Sequence, residues 1–261
     1  MSGRASGGGR GRGGGSTGSG PSGRMQQVRV RTARKRTNSS ARWLQRQLND
    51  PYVLRAKREG WRSRAAFKLL ELDEKFKFLK PGQRIVDLGA APGGWSQVAA
   101  RKIGIVDESG AEREKARGKI VGIDLLPIEP MPGAEFIEMD FLDDDAPARL
   151  VALLGGPADV VMSDMAANAT GHKKTDHLRI MGLAETGAEF ARSVLAQGGT
   201  YIAKVLRGGT EGALLADLKR DFANVRHYKP PSSRSDSAEL FVLAMGYRGE
   251  DRVAAEQGEA G

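Results

Sequence analysis

The chain has 261 residues, 41 Lys/Arg against 32 Asp/Glu, a formal charge of +9 and no cysteine. That length suits one α/β domain with an appendage, and the lack of cysteine excludes a disulfide framework and a thiolate metal site and fits a reducing, cytoplasmic setting. No apolar run approaches the ~18 residues of a membrane span, and the N-terminus has no apolar secretory stretch, so no membrane partner is expected.

Residues 1–42 carry ten Lys/Arg and no acid, which leaves 31 basic against 32 acidic residues in the rest. Eleven of the first 24 residues are glycine. Such a composition buries no core, so 1–38 reads as a disordered basic Gly/Arg-rich arm. It suits sequence-indifferent phosphate contact, and equally a solubilising linker. A folded domain is expected over 39–248, followed by a disordered acidic tail, 249–261.

A first helix is expected over Ser39–Leu48, broken by Asn49-Asp-Pro51, with another helical turn over Tyr52–Arg58. Ser63 reads as the N-cap of a helix over 64–76. Pro81-Gly82 then turns the chain into a first strand over 84–87. Further strands are predicted over 119–124, 134–140, 158–164, 200–206, 225–229 and 239–247. Helices fit over 96–102, 143–154, 176–197 and 211–221. Alternating β and α implies an α/β fold with a mostly parallel seven-stranded sheet covered on both faces. The last two strands lack a helix-length connection, so the final strand is expected to be antiparallel. Residues 104–118 read as an inserted polar surface loop. His172, His177 and His227 would make at most a poor metal site, so no metal is expected.

The run Asp87-Leu-Gly-Ala-Ala-Pro-Gly-Gly-Trp-Ser-Gln97 joins the first strand to a helix. Gly89, Gly93 and Gly94 remove side chains where a ligand would approach the backbone, Pro92 fixes one turn, and the helix start offers N–H groups. The order fails the dinucleotide spacing G-x-G-x-x-G, and Trp95 stands where a P-loop needs lysine. The turn therefore suits a ligand without a phosphate chain. Asp87, Asp124, Asp140 and Asp164 fall at or near strand carboxyl ends, where open α/β sheets bind ligands. Asp124 suits a ribose and Asp140 the exocyclic amine of adenine, although a single Asp after a strand is often a turn former. Lys204 lies inside the apolar strand Tyr201–Leu206, where an unpaired lysine is costly. Lys68 lies among apolar helix positions, and Glu239 opens the last strand. As a set they suggest a shared polar site.

The strings R-S-R-A-A-F-K-L-L-E (62–71), D-L-G-A-A-P-G-G-W-S-Q (87–97), G-I-D-L-L-P (122–127), S-D-M-A-A-N (163–168), A-K-V-L-R-G (203–208) and S-D-S-A-E-L-F (235–241) follow the order of the FtsJ/RrmJ-like ribose 2′-O-methyltransferases. The chain resembles that family over about 40–248. The resemblance implies a Rossmann-like S-adenosylmethionine-dependent methyltransferase fold. It also implies a Lys-Asp-Lys-Glu tetrad at Lys68, Asp164, Lys204 and Glu239, and cofactor contacts at Gly93, Trp95, Asp124, Asp140 and Asp164. The chain looks like the bacterial members that methylate a uridine ribose in the A-loop of 23S rRNA within the large (50S) subunit. It departs from the family at Ala167, where proline is common, and in the 104–118 insertion. The basic arm is not implied by the resemblance.

The sulfonium of S-adenosylmethionine supplies an activated methyl group, so no metal is required. A ribose hydroxyl needs a base or nearby positive charge, and a free lysine with a pKa of ~10.4 is a poor base. Partial burial and a second cation favour the neutral amine, which casts Lys204 as the hydroxyl-activating residue and Lys68 as its partner. Asp164 and Glu239 would hold the lysines. Eight Lys/Arg over 42–68, interleaved with Trp43, Tyr52 and Trp61, suit an RNA backbone and unstacked bases, or else a solvated rim over core aromatics. A tRNA 2′-O-methyltransferase, a noncatalytic RNA-binding assembly factor and a nicotinamide oxidoreductase are the alternatives. The intact tetrad speaks against the second and the glycine spacing against the third. The protein is expected to act as a monomer.

Overall fold

The computed structural model describes residues 44, 45, 47–167, 170–207 and 211–249. The chain divides into two units, Met1–Asn49 and Asp50–Gly261. In the first, residues 44, 45, 47 and 48 are helical, and the Asn49 side-chain amide donates to the Gln45 carbonyl (2.7 Å). The expected arm, Trp43, the start of the first expected helix and the tail beyond Gly249 lie outside the described residues.

The second unit opens with α1 (Pro51–Glu59), whose cap is the Asp50 carboxylate accepting from the Tyr52 N–H (3.0 Å), with Pro51 at the first helical position. Next come α2 (Ala65–Phe76), β1 (Arg84–Leu88) and α3 (Gly94–Lys102). They are followed by β2 (Lys119–Asp124), β3 (Ala134–Glu138), α4 (Ala146–Leu154), β4 (Ala158–Ser163) and α5 (Lys173–Val194). The unit closes with β5 (Leu195–Leu206), α6 (Glu211–Asp221), β6 (Phe222–Tyr228) and β7 (Glu239–Tyr247). The seven strands form one sheet in the order β3-β2-β1-β4-β5-β7-β6, parallel except for β7, which runs antiparallel to both neighbours. This is the expected fold class.

Alternation along the strands builds two cores. Val86, Val121, Val161, Ala203 and Val242 face one way, against α4, α5 and α6. Ile85, Ile120, Val160, Ile202 and Phe241 face the other way, against α2 and α3. By the two-residue period of a strand, Asp87, Lys204 and Glu239 share the second face, the one covered by α2 and α3.

Several boundaries differ from expectation. Ser63 does not cap α2: Arg64 holds that position in helical conformation and no side chain caps the helix. Ser63 Oγ turns instead into the space beside Gly94, where a Cβ would collide with it. β3 and β4 stop before Asp140 and Asp164, and Asp140 begins a turn in which its carbonyl accepts from the Asp143 N–H (3.1 Å). β5 starts at Leu195 rather than 200, because the chain bulges between the pairs Ala158–Leu195 and Val160–Thr200, and this ends α5 at Val194 instead of 197. The 104–118 segment is not wholly superficial: Ile105 and Val106 are buried and anchor it to the core.

Candidate active site

Two features adjoin at the carboxyl edge of the sheet. One is a cavity of about 510 Å³ lined by Gly89, Asp124, Asp140, Met165, Ala167 and one face of α5. The other is a cluster of four charged side chains from α2, β5, β7 and the end of β4.

The cavity is shaped by backbone. Gly89 has φ +75°, and a Cβ there would stand 2.8–3.0 Å from Met165, so only glycine lets the β1 turn pass the segment after β4. Asp124 Oδ2 accepts from the Ala91 N–H (2.9 Å) and Oδ1 from the Leu126 N–H (2.9 Å), which ties the glycine turn to the end of β2. Asp140 Oδ1 accepts from the Leu142 N–H (3.0 Å). A carboxylate has about four acceptor positions, so both keep capacity for a ligand's hydroxyls or amine. Two lining carboxylates beside Gly89, Ile123 and Phe141 fit a neutral nucleoside better than a phosphate chain. From α5 come Arg179, Gly182, Leu183 and Thr186. Sequence reading missed them, although their spacing of three, one and three is that of a single helix face.

Gly93 and Trp95 serve the protein's own packing. A Cβ at Gly93 would stand 2.8 Å from the Arg62 guanidinium, which itself donates to the Glu129 (2.6 Å) and Pro130 (2.8 Å) carbonyls. The Trp95 indole is buried, donates to the Ala65 carbonyl (2.9 Å) and lies 5.5 Å from the Phe241 ring. Neither residue lines the cavity. Both stand at the start of α3, whose N-terminal N–H groups no side chain caps.

The charged cluster is compact. Lys204 Nζ stands 3.1 Å from Asp164 Oδ1 and donates to the Asp164 main-chain carbonyl (2.6 Å). Lys68 Nζ stands 3.5 Å from the same Oδ1 and 2.9 and 3.0 Å from the two oxygens of Glu239. The four side chains are only 8–17% exposed. In the β5–β7 register Lys204 faces Phe241 and Leu206 faces Glu239, so Lys204 and Glu239 are diagonal neighbours on one face. Lys68 reaches them from α2 across the Phe241 ring (5.5 Å).

Charge sets the protonation. Burial alone would lower the Lys68 pKa, but Asp164 and Glu239 reverse this and hold it above the usual lysine value. Burial would raise Asp164, yet Lys204 and Lys68 hold it below the usual carboxylate range. Asp87, fully buried on the neighbouring strand, has no such cation. Burial pushes it up to about 7 against hydrogen bonding from Ser96, whose Oγ donates at 2.6 Å.

Of the aromatics expected to meet RNA, Tyr52 and Trp61 are engaged internally. Tyr52 packs on Phe67 (5.4 Å) with Arg64 above it (5.7 Å), and Trp61 lies under Arg101 (4.2 Å). Lys57 and Arg58 at the end of α1 are exposed. Among the described residues no group of three His, Asp or Glu is placed to hold a metal, and no helix is long and apolar enough to cross a membrane.

A family model described as FtsJ-like methyltransferase matches residues 61–247. A protein of Xanthobacter autotrophicus named ribosomal RNA large subunit methyltransferase E is 70% identical over 230 residues, covering 88% of this chain and 87% of that protein. One of the same name from Parvibaculum lavamentivorans is 58% identical over 236 residues, 90% of this chain and 92% of that protein. A solved structure described as a ribosomal RNA methyltransferase of Plasmodium falciparum superposes with a TM-score of 0.62 at 32% identity, covering 72% of this chain and all of that one.

Proposed function

The chain belongs to the FtsJ-like methyltransferase family, and on that premise we propose that it methylates a ribose 2′-hydroxyl of 23S rRNA, at a uridine of the A-loop in the large (50S) subunit. S-adenosylmethionine is the proposed donor. The observation that carries this reading is the buried Lys68-Asp164-Lys204-Glu239 cluster beside an acid-lined, nucleoside-sized cavity. The names of the relatives favour large-subunit RNA over transfer RNA.

When bound, S-adenosylmethionine supplies a methyl group on a cationic sulfur. Asp124 and Asp140 would hold the nucleoside hydroxyls and amine, and Asp164, which does not itself line the cavity, precedes the lining residue Met165 and carries the two lysines. Lys204 is the residue we assign to the acceptor hydroxyl. A neutral amine has two N–H bonds and one lone pair. To take the ribose proton Lys204 must act as the neutral amine, with one N–H kept on the Asp164 carbonyl (2.6 Å) and its lone pair turned to the hydroxyl. Lys68 stays protonated, and its charge beside Asp164 favours the developing alkoxide. Placement of hydroxyl, methyl and sulfur in line supplies much of the remaining rate. The arm over 1–38 would add phosphate contacts, and the protein would work as a cytoplasmic monomer.

The test is a map of ribose methylation on 23S rRNA from cells with and without this protein. Loss of one A-loop 2′-O-methyl group is expected. An unchanged rRNA map with a lost tRNA methyl group would overturn the substrate assignment.

A further inference from the structure

The loop joining β6 to β7 is held from four sides. Lys229 Nζ donates to the carbonyls of Ser235 (3.3 Å) and Ser237 (2.6 Å). Glu71 follows Lys68 by three residues on α2, so the two share a helix face. Glu71 Oε2 accepts from both the main-chain N–H (2.8 Å) and the hydroxyl (2.7 Å) of Ser232. The Arg64 guanidinium donates to the Ser232 carbonyl, and Asp50 bridges Arg64 (3.0 Å) to Arg234 (3.1 Å). The Ser233 N–H closes a turn onto the Pro230 carbonyl (2.9 Å). These contacts deliver the buried Ser233 hydroxyl to Glu239 Oε1 at 2.9 Å.

Lys68 by itself does not orient that carboxylate. An ammonium is a compact charge without a preferred plane, and it sits at 2.9 and 3.0 Å from the two oxygens. It fixes the distance of Glu239 and leaves rotation about the terminal torsion soft. A hydroxyl aimed at one oxygen removes that freedom. We propose that Ser233, set in place by the Glu71–Ser232 contact, is a positioning residue that fixes the orientation of the Glu239 carboxylate. This rests on the tetrad being the catalytic site.

The experiment measures methyl transfer to purified large subunits, with cofactor affinity and thermal melting followed in parallel. Ser233→Ala is expected to lower kcat about tenfold, as suits loss of one hydrogen bond to a charged group. KM for the subunit and cofactor affinity should stay unchanged, and the protein should remain folded at the assay temperature. Ser233→Thr keeps the hydroxyl and should restore most of the rate. If the threonine variant fails to fold, the kcat-only loss of the alanine variant still supports the role. Wild-type kcat in Ser233→Ala overturns the proposal, as does a loss confined to KM or one accounted for by unfolding at the assay temperature. Glu239→Ala separates the two readings. If it is inactive while Ser233→Ala is normal, only the positioning role falls; if Glu239→Ala is fully active, the tetrad reading falls and takes this one with it.

Discussion

Asp87 and Asp164 sit at the carboxyl ends of the adjacent parallel strands β1 and β4, both deeply placed, yet their acidities shift in opposite directions. Asp164 shares its Oδ1 between two lysines and is held ionised. Asp87 has Ser96 in place of a cation, and a pKa raised to about 7. The comparison extends to the halves around them. The β1–β2–β3 half is a cavity of turns and main chain, with acids whose oxygens already hold loop N–H groups. The β4–β5–β7 half is a dense set of paired charges. One half offers an open, acid-lined cavity and the other a closed set of paired charges.

The largest expected effect breaks the second half alone. Lys204→Ala should lower single-turnover methyl transfer by at least the ~10²–10⁴-fold typical of a general acid–base residue, with cofactor binding and fold retained. Lys204→Arg should fail as well, because guanidinium does not lose its proton and has a different shape. An active Arg variant would mean that positive charge, not proton removal, is what the site supplies. Next, Asp124→Ala should weaken S-adenosylmethionine binding by roughly a hundredfold in calorimetry, through lost ligand contacts and a loosened glycine turn. Equal cofactor affinity in that variant would disconnect the cavity from the cofactor.

A smaller effect tests the two aspartates directly. The raised value of Asp87 means that the folded protein holds this proton more tightly than the unfolded chain does. The contribution of Asp87 to stability therefore falls as pH rises from about 4 to about 7, then levels off. Asp87→Asn lacks this fall, so denaturant titrations should show it gaining roughly 2 kcal/mol relative to wild type between pH 5 and pH 8. A constant difference across that range would mean Asp87 is ionised throughout. Asp164 contributes with the opposite sign, losing stability only as pH falls below the ordinary carboxylate range, outside this window. The smallest effect concerns the arm: removing residues 1–38, with their positive charges, should weaken RNA binding and flatten its salt dependence while leaving the cofactor site unchanged.

Much of the molecule was legible in the chain. The alternation of strands and helices, the single antiparallel strand and the buried placement of Lys204 follow from apolar periodicity, because a strand's two-residue period states which side chains face inward. The residues themselves marked Lys68, Lys204 and Glu239 as a polar set and Asp164 as a strand-end acid, the resemblance joined them as a tetrad, and the sheet register explains why Lys204 and Glu239 meet. Periodicity does not say what lies opposite an inward-facing residue, and tertiary packing decided that. It turned Trp95 and Gly93 toward Phe241 and Arg62, turned Ser63 away from its helix, and brought one face of α5 to the cavity. It also joined Glu71, Ser232 and Ser233 around Glu239 across some 160 residues of chain. A serine or glutamate in a polar loop or on a helix face carries no local mark of its partner, since a hydrogen bond is set by where two surfaces meet and not by the sequence on either side.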